Sequence, residues 1–263
     1  MHRRSNFNMQ IENLFNVKDS VIMITGASRG IGKGLALELG LMGAKIVLIS
    51  RDQNNLLGTA QELETKGITT LAISTDVTDS DQVKSAVDQV VERFGRIDGL
   101  INSAGVVGLQ PIAEFDEALW DQVMAVNLKG TFLTCKWVGA QMLKQKGGKI
   151  INISSVRGLQ GRRNDAAYAP SKGAVNLLTK SLAIEWAEDN INVNAIAPTF
   201  TLTDINRDLL ANEEASNWVL SRIPKKRLGQ IEDLVGSVIF LLSPASDFVT
   251  GHILYVDGGW TAA

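Results

Sequence analysis

A chain of 263 residues with 45% hydrophobic side chains can bury a sizeable core, and α/β folds of about 250 residues commonly form one unit. Its 26 basic and 28 acidic side chains, a formal net charge of −2, lack the one-signed excess of a nucleic-acid or membrane-surface protein. Apolar windows fall short of the roughly 20 residues of a membrane span, and His2 and His252 have no metal-ligand spacing, so neither a membrane protein nor a zinc enzyme is expected.

Residues 1–15 (MHRRSNFNMQIENLF) read as a loosely ordered lead-in with no signal-peptide pattern, and Met9 is a candidate natural start. Residues 16–263 read as one domain. Val- and Ile-rich runs recur at 21–25 (VIMIT), 45–50 (KIVLIS), 69–74 (TTLAIS), 99–102 (GLIN), 149–154 (KIINIS), 191–197 (INVNAIA) and 252–257 (HILYVD). Between them lie helix-length segments with apolar residues three and four apart, such as Leu35, Leu39 and Met42, or Val83, Val87, Val90 and Phe94. Near-continuous apolar strands alternating with amphipathic helices predict one doubly wound, Rossmann-like α/β domain, with about seven parallel strands and helices on both faces. A helix over about 116–145 carries Trp120, Val123, Met124, Phe132, Leu133, Trp137 and Met142, more apolar groups than one buried face needs. Lone Cys135 in that helix reads as a buried structural thiol, which permits no intrachain disulfide and suits a reducing cytoplasm. The strandless stretch 198–250 is expected to provide, around 198–229, a substrate flap over the crevice at the strands' carboxyl ends.

The first run ends in TGASRGIG (25–32). Gly26 permits a tight turn, while Gly30 and Gly32 let backbone approach a ligand and a helix pack on its strand. The helix that follows points free N–H groups at the turn, where a pyrophosphate fits, so Gly26, Ser28, Arg29, Gly30, Ile31 and Gly32 form a candidate phosphate cradle. The spacing departs from G-x-G-x-x-G, and an ordinary tight turn also explains it. About 20 residues on, where an acid would receive a ribose 2′-hydroxyl, the second run closes with Ser50 and Arg51. A missing acid, with Arg29 and Arg51 able to converge on a 2′-phosphate, favours NADP over NAD. Asp52 reads as a helix N-cap. Asp76, with Val77 beside it, follows the third run and either accepts the adenine amino group or caps the next helix.

The fifth run delivers Ser154 and Ser155, and Tyr168 and Lys172 follow at helical i, i+4 spacing. Phenols titrate near 10, and a neighbouring ammonium is expected to bring Tyr168 down so that it can exchange a proton at neutral pH. With Ser155 on the same substrate oxygen, the group serves hydride transfer to or from a nicotinamide.

Together these residues resemble the short-chain dehydrogenase/reductase superfamily over roughly 15–260. TGASRGIG (25–32) matches its TGxxxGxG turn, and INSAG (101–105) resembles its NNAG motif with Ser103 in place of Asn. The resemblance implies cofactor contacts at Asn102, Ala104 and Gly105, and a role for Asn127 of VNLKG in holding a water that links the lysine to solvent. It assigns catalysis to Asn127, Ser155, Tyr168 and Lys172, with Tyr168 and Lys172 also touching the cofactor. The family's Pro-Gly becomes Pro198-Thr199, leaving Pro198, Thr199, Thr201 and Thr203 near the nicotinamide carboxamide. TGHILYVDGGW (250–260) is similar to the last strand.

Beside the active group, VRGLQGRRNDAA carries Arg157, Arg162 and Arg163, which suit an anionic, hydroxyl-rich substrate; Arg157 and Arg162, with Ser155 and Tyr168, are the candidate substrate contacts. The chain looks most like the gluconate 5-dehydrogenase and 3-oxoacyl-carrier-protein reductase branches. A keto-sugar acid is the expected small-molecule substrate. A 3-oxoacyl thioester is the alternative, its acidic carrier meeting the basic PKKRLG (224–229). A non-catalytic NADP-binding sensor is the remote reading, opposed by the intact Ser155, Tyr168 and Lys172. The resemblance further implies a homotetramer or homodimer, with no nucleic-acid or membrane partner.

Overall fold

Strand and helix alternate along the chain in the computed structural model, which describes residues 11–203 and 213–263. The order is α1 (Ile11–Leu14), β1 (Val21–Thr25), α2 (Gly30–Leu41), β2 (Lys45–Ser50), α3 (Gln53–Thr65), β3 (Thr70–Ser74), α4 (Ser80–Phe94) and β4 (Gly99–Asn102). There follow α5 (Glu117–Met124), α6 (Gly130–Gln145), β5 (Gly148–Ile153), α7 (Tyr168–Trp186), β6 (Ile191–Pro198), α8 (Glu213–Arg222), α9 (Ile231–Leu242) and β7 (Ile253–Val256). The strands coincide with the seven apolar runs to within a residue or so at each end. All pair in parallel in the order β3-β2-β1-β4-β5-β6-β7, so the winding reverses between β1 and β4. Crevices at such a reversal, beyond the strands' carboxyl ends, receive ligands in open α/β sheets.

Alternate residues of each central strand serve opposite faces. Ile22, Ile24, Ile46 and Leu48 join Leu35, Leu39 and Leu234 in one core, while Val21, Met23, Val47 and Ile49 join Val87, Val90 and Val138 in the other. Each fully buried Leu or Ile contributes on the order of 1.5–3 kcal/mol, which clamps the sheet between its two helical layers. Asp52 and Asp79 cap α3 and α4 by accepting from backbone N–H groups one turn on.

The segment 116–145 is not one regular helix. Between α5 and α6 lies a π-helical turn, Ala125–Lys129, centred on buried Asn127. The wider turn shifts the helical phase at Asn127, whose amide bonds Val106 and Ser171, a device that helices use at functional positions. Of the proposed flap, Thr199–Thr203 and α8 are described, whereas 204–212, like 1–10 of the lead-in, lie outside the described residues.

Candidate active site

A cavity of about 720 Å³ opens at the carboxyl edge of the sheet, within the roughly 300–1,000 Å³ of small-ligand clefts. One end is made of backbone. Gly26 turns at φ +66°, and a Cβ there would stand 2.9 Å from the Cα and N of Ala104. A Cβ on Gly32 would lie 2.5 Å from the carbonyl oxygen of Gly26. The Thr25 hydroxyl accepts from the N–H groups of Ser103 and Ala104, each at 3.1 Å, tying the β4 turn to the glycine turn. Helix α2 begins at Arg29 with no side-chain cap and no acid in its first turn, leaving its N–H groups and positive dipole end to the cavity.

At the end of β2 the Ser28 and Ser50 hydroxyls hydrogen-bond at 2.9 Å. Exposed Arg29 and Arg51 flank them on the cavity wall. Asp76 lies off that wall: one oxygen caps Thr78 and the other stands 3.7 Å from Arg51. Capping of α4 falls to Asp79 instead, because Asp79 is the residue directly before the first turn.

The other end is made of side chains. Tyr168 and Lys172, one turn apart on α7, both line the cavity with Ser155. The Ser155 hydroxyl accepts from the N–H of Arg157 at 3.1 Å, closing a 3₁₀ turn (Val156–Gly158). That turn is locked onto α7 by Asn176, whose amide donates to Gly158 O at 3.2 Å and accepts from Ser154 Oγ at 2.6 Å. Lys172 Nζ donates to the Ile153 carbonyl at 2.7 Å and lies 5.7 Å from the centre of the Tyr168 ring.

The electrostatics correct one expectation. Burial raises the phenol of Tyr168 above its ordinary value, the hydrogen bond from Ser155 pulls it back, Asp165 pushes it up and Arg157 draws it down. Lys172 is not what lowers it, since its ammonium faces the Ile153 carbonyl and burial has itself brought the lysine down to about 8. The ammonium is therefore a proton source close to neutrality, beside a phenol that stays protonated.

Two motif asparagines do not reach the cavity wall. Asn102 bridges β4, β5 and α6, donating to Asn152 Oδ1 at 2.9 Å and accepting from Thr134 at 2.6 Å. Buried Cys135 lies 3.3 Å from the same amide, its thiol pushed up to about 12 by burial. Asn127 accepts from Val106 N–H at 2.8 Å and donates to Val106 O and Ser171 Oγ, both at 3.0 Å, so its side chain is committed to protein partners. Gly30 and Gly32 stand behind the wall, whereas Ile31, Val77, Ala104, Gly105, Pro198, Thr199, Thr201 and Thr203 line it.

Arg157 and Arg162 lie on the same wall, stacked 5.3 Å from Trp260 and 5.6 Å from Trp218. Arg163 is exposed and off the wall. Burial, then the neighbouring Arg162, lowers the pKa of Arg157. Phe200 and Trp218 pack on Trp260 at 5.9 and 6.1 Å, with Val219 and Ile223 beneath. Trp260, Asn176 and Asp165 carry no sequence signal, because the partners of each come from segments that have no fixed spacing to it.

The cavity accommodates a pyridine dinucleotide on its own terms. The glycine cradle and uncapped helix suit a pyrophosphate, and Thr199 Oγ1 is, among the described residues, a buried side-chain oxygen without a hydrogen-bond partner on the cavity wall. A dinucleotide site joined to a Ser–Tyr–Lys group defines an oxidoreductase that interconverts carbonyls and alcohols.

Comparison with known proteins agrees. Residues 26–261 match the family model described as enoyl-(acyl carrier protein) reductase. The chain is 38% identical over 253 residues to the 5-keto-D-gluconate 5-reductase of Escherichia coli (strain K12), covering 96% of this chain and 100% of the relative. It is 40% identical over 253 residues to the 2-dehydro-3-deoxy-D-gluconate 5-dehydrogenase of Dickeya dadantii (strain 3937), covering 96% and 99%. The crystal structure of a gluconate 5-dehydrogenase from Burkholderia cenocepacia J2315 in complex with NADP and tartrate superposes with TM-score 0.93 at 38% identity, covering 97% of this chain and 100% of that one. The chain belongs to the short-chain dehydrogenase/reductase superfamily, in the branch similar to gluconate 5-dehydrogenases.

Proposed function

We propose that this enzyme reversibly reduces the keto group of a small sugar acid, with NADP(H) as cofactor. The observation that carries the substrate class is the pair Arg157 and Arg162, which share a wall with Ser155 and Tyr168 and, among the described residues, have no carboxylate within ion-pair distance. Half-buried Arg157 and exposed Arg162, neither tied up in a direct ion pair with a described carboxylate, are free to meet an anionic ligand. The relatives named for keto-gluconates, and the neighbour bound to tartrate, support the same class. For the cofactor, Ser28 and Ser50 leave room where a carboxylate would repel a 2′-phosphate, Arg29 and Arg51 can pair with it, and that neighbour holds NADP.

When bound, NADPH would supply the hydride that reaches the carbonyl carbon in the reductive direction. The Ser155 hydroxyl and the Tyr168 phenol hold the carbonyl oxygen, and the phenol O–H bond breaks to give that oxygen its proton. Lys172 re-protonates the phenolate. Asn127 anchors the Val106 loop and Ser171 beside the lysine, and its assignment as a relay to solvent rests on the family resemblance. With the dinucleotide bound, Gly26 and Ile31 would meet the pyrophosphate at a turn that Gly30 and Gly32 keep open from behind, Thr199, Thr201 and Thr203 would face the carboxamide, and Val77 the adenine.

A carrier-protein thioester is the weaker reading. Within PKKRLG, Arg227 is clamped by Asp233 through two 2.6 Å hydrogen bonds, which removes one cation from a would-be docking rim. Exposed apolar side chains on α5, α6 and α7, including Trp120, Phe132, Leu177 and Ile184, support a homotetramer or homodimer. Among the described residues no helix is long and apolar enough to cross a membrane, and a reducing cytoplasm suits the lone thiol. Binding titrations with NADPH and NADH, followed by turnover of a ketone panel, test the reading. Tighter NADPH binding and preferred turnover of keto-gluconates are expected; strong activity confined to acetoacetyl thioesters overturns it.

A further inference from the structure

One ionisable group on the cavity wall has no part in the chemistry above. Asp165 lines the cavity and is only 6% exposed. One carboxylate oxygen accepts from the N–H of Ala169 at 3.0 Å, at the start of α7. The chain around it is pinned from the opposite side, since Gln110 N–H donates to Asn164 O at 3.0 Å and Gln110 pairs with Asp165 in an isolated bridge. Two loops that wall the cavity, 106–110 and 162–165, therefore meet at this carboxylate. The Tyr168 backbone N–H is a further donor to it, no side chain among the described residues hydrogen-bonds it, and Arg157 and Arg162 attract it only from beyond ion-pair distance.

We propose that Asp165 determines specificity by accepting a hydrogen bond from a substrate hydroxyl near the reacting carbon, so that the site selects a hydroxylated keto acid over a plain keto acid. This rests on the sugar-acid reading and deepens it. An ionised carboxylate is an acceptor only, so it recruits O–H donors and repels a substrate carboxylate. With guanidiniums at Arg157 and Arg162 and an acceptor at Asp165, the wall sorts the two ends of a sugar acid. The acid end goes to the arginines and the hydroxylated end to Asp165. Burial, the first cause, raises the carboxyl's pKa, which marks a charge that lacks water and gains from a donor. An analogue without the hydroxyl leaves that buried carboxylate with backbone donors alone, and polar sites discriminate against a substrate that leaves accepting capacity unused.

The test compares kcat/KM for 5-keto-D-gluconate and for 5-oxohexanoate, which keeps the chain length, ketone and carboxylate but has no hydroxyls. The wild-type enzyme is expected to favour the first by about 100-fold or more. Asp165→Asn preserves the acceptor for Ala169 N–H and should keep the Kd for NADPH within about twofold. Its preference should fall by about tenfold or more, through loss of 5-keto-D-gluconate activity, the charge-assisted bond being about twice as strong as a neutral one. Asp165→Ala should lower the ratio at least as far. An unchanged ratio in both variants, with NADPH binding intact, overturns the assignment and leaves the sugar-acid reading standing. If the wild-type enzyme turns over neither acid, both fall.

Discussion

The two ends of the cavity are built from different materials. At the dinucleotide end the wall is backbone: a positive-φ turn at Gly26, an uncapped helix, and Gly32 against the Gly26 carbonyl. At the chemical end the wall is side chain: Ser155, Tyr168, Lys172, Asp165 and the indole-stacked arginines. The difference follows from what each end receives. A pyrophosphate has the same charge in every turnover and would be met by fixed dipoles, whereas proton exchange and substrate choice require groups that titrate or reach.

The comparison breaks most visibly at Tyr168. Tyr168→Phe removes the phenolic proton but leaves the glycine turn untouched, so kcat should fall by about 10³-fold while the Kd for NADPH stays within about twofold. Equal loss of both in paired titrations and steady-state assays would deny that the ends are separable. The converse variant is Gly32→Ala, whose Cβ is forced to 2.5 Å from the Gly26 carbonyl oxygen. Overpacking of that kind costs about 2 kcal/mol, so NADPH binding should weaken by roughly 30-fold. Calorimetric titration at unchanged ketone affinity checks it.

The smallest effect sharpens the comparison by pH. Burial brings Lys172 down to about 8 from its ordinary 10.5. With the ammonium in its proposed role of re-protonating the phenolate, ketone reduction should hold steady below about 8 and decline as pH rises through it, by up to tenfold per unit. NADPH binding should not follow that limb. Because the folded value lies below the unfolded one, the unfolded chain binds the extra proton between the two, and this group's contribution to stability rises with pH across that window. A reduction profile flat from pH 7 to 10 would remove Lys172 from the proton path.

Much of the architecture was legible in the residues. Apolar runs such as VIMIT and KIVLIS became strands at nearly the expected limits because strands buried on both faces must be apolar throughout. Ser155, Tyr168 and Lys172 were legible too, since helical spacing and strand ends translate directly into shared faces. The irregularity at Ala125–Lys129 was not, because a π-turn has no compositional mark. Asn102 illustrates the limit in the other direction: its motif places it near the cofactor, but Asn152 and Thr134 on neighbouring elements claim its amide.

Local periodicity, the glycine turn and the i, i+4 pair of Tyr168 and Lys172 were set by the chain itself, because each depends on residues within one turn or one strand. Tertiary structure alone decided which way the lysine points, that the phenol's pKa rises with burial, and that Asp165, Trp218 and Trp260 gather around one substrate wall. Those properties arise from contacts between segments far apart in sequence, and from the exclusion of water that such contacts bring about.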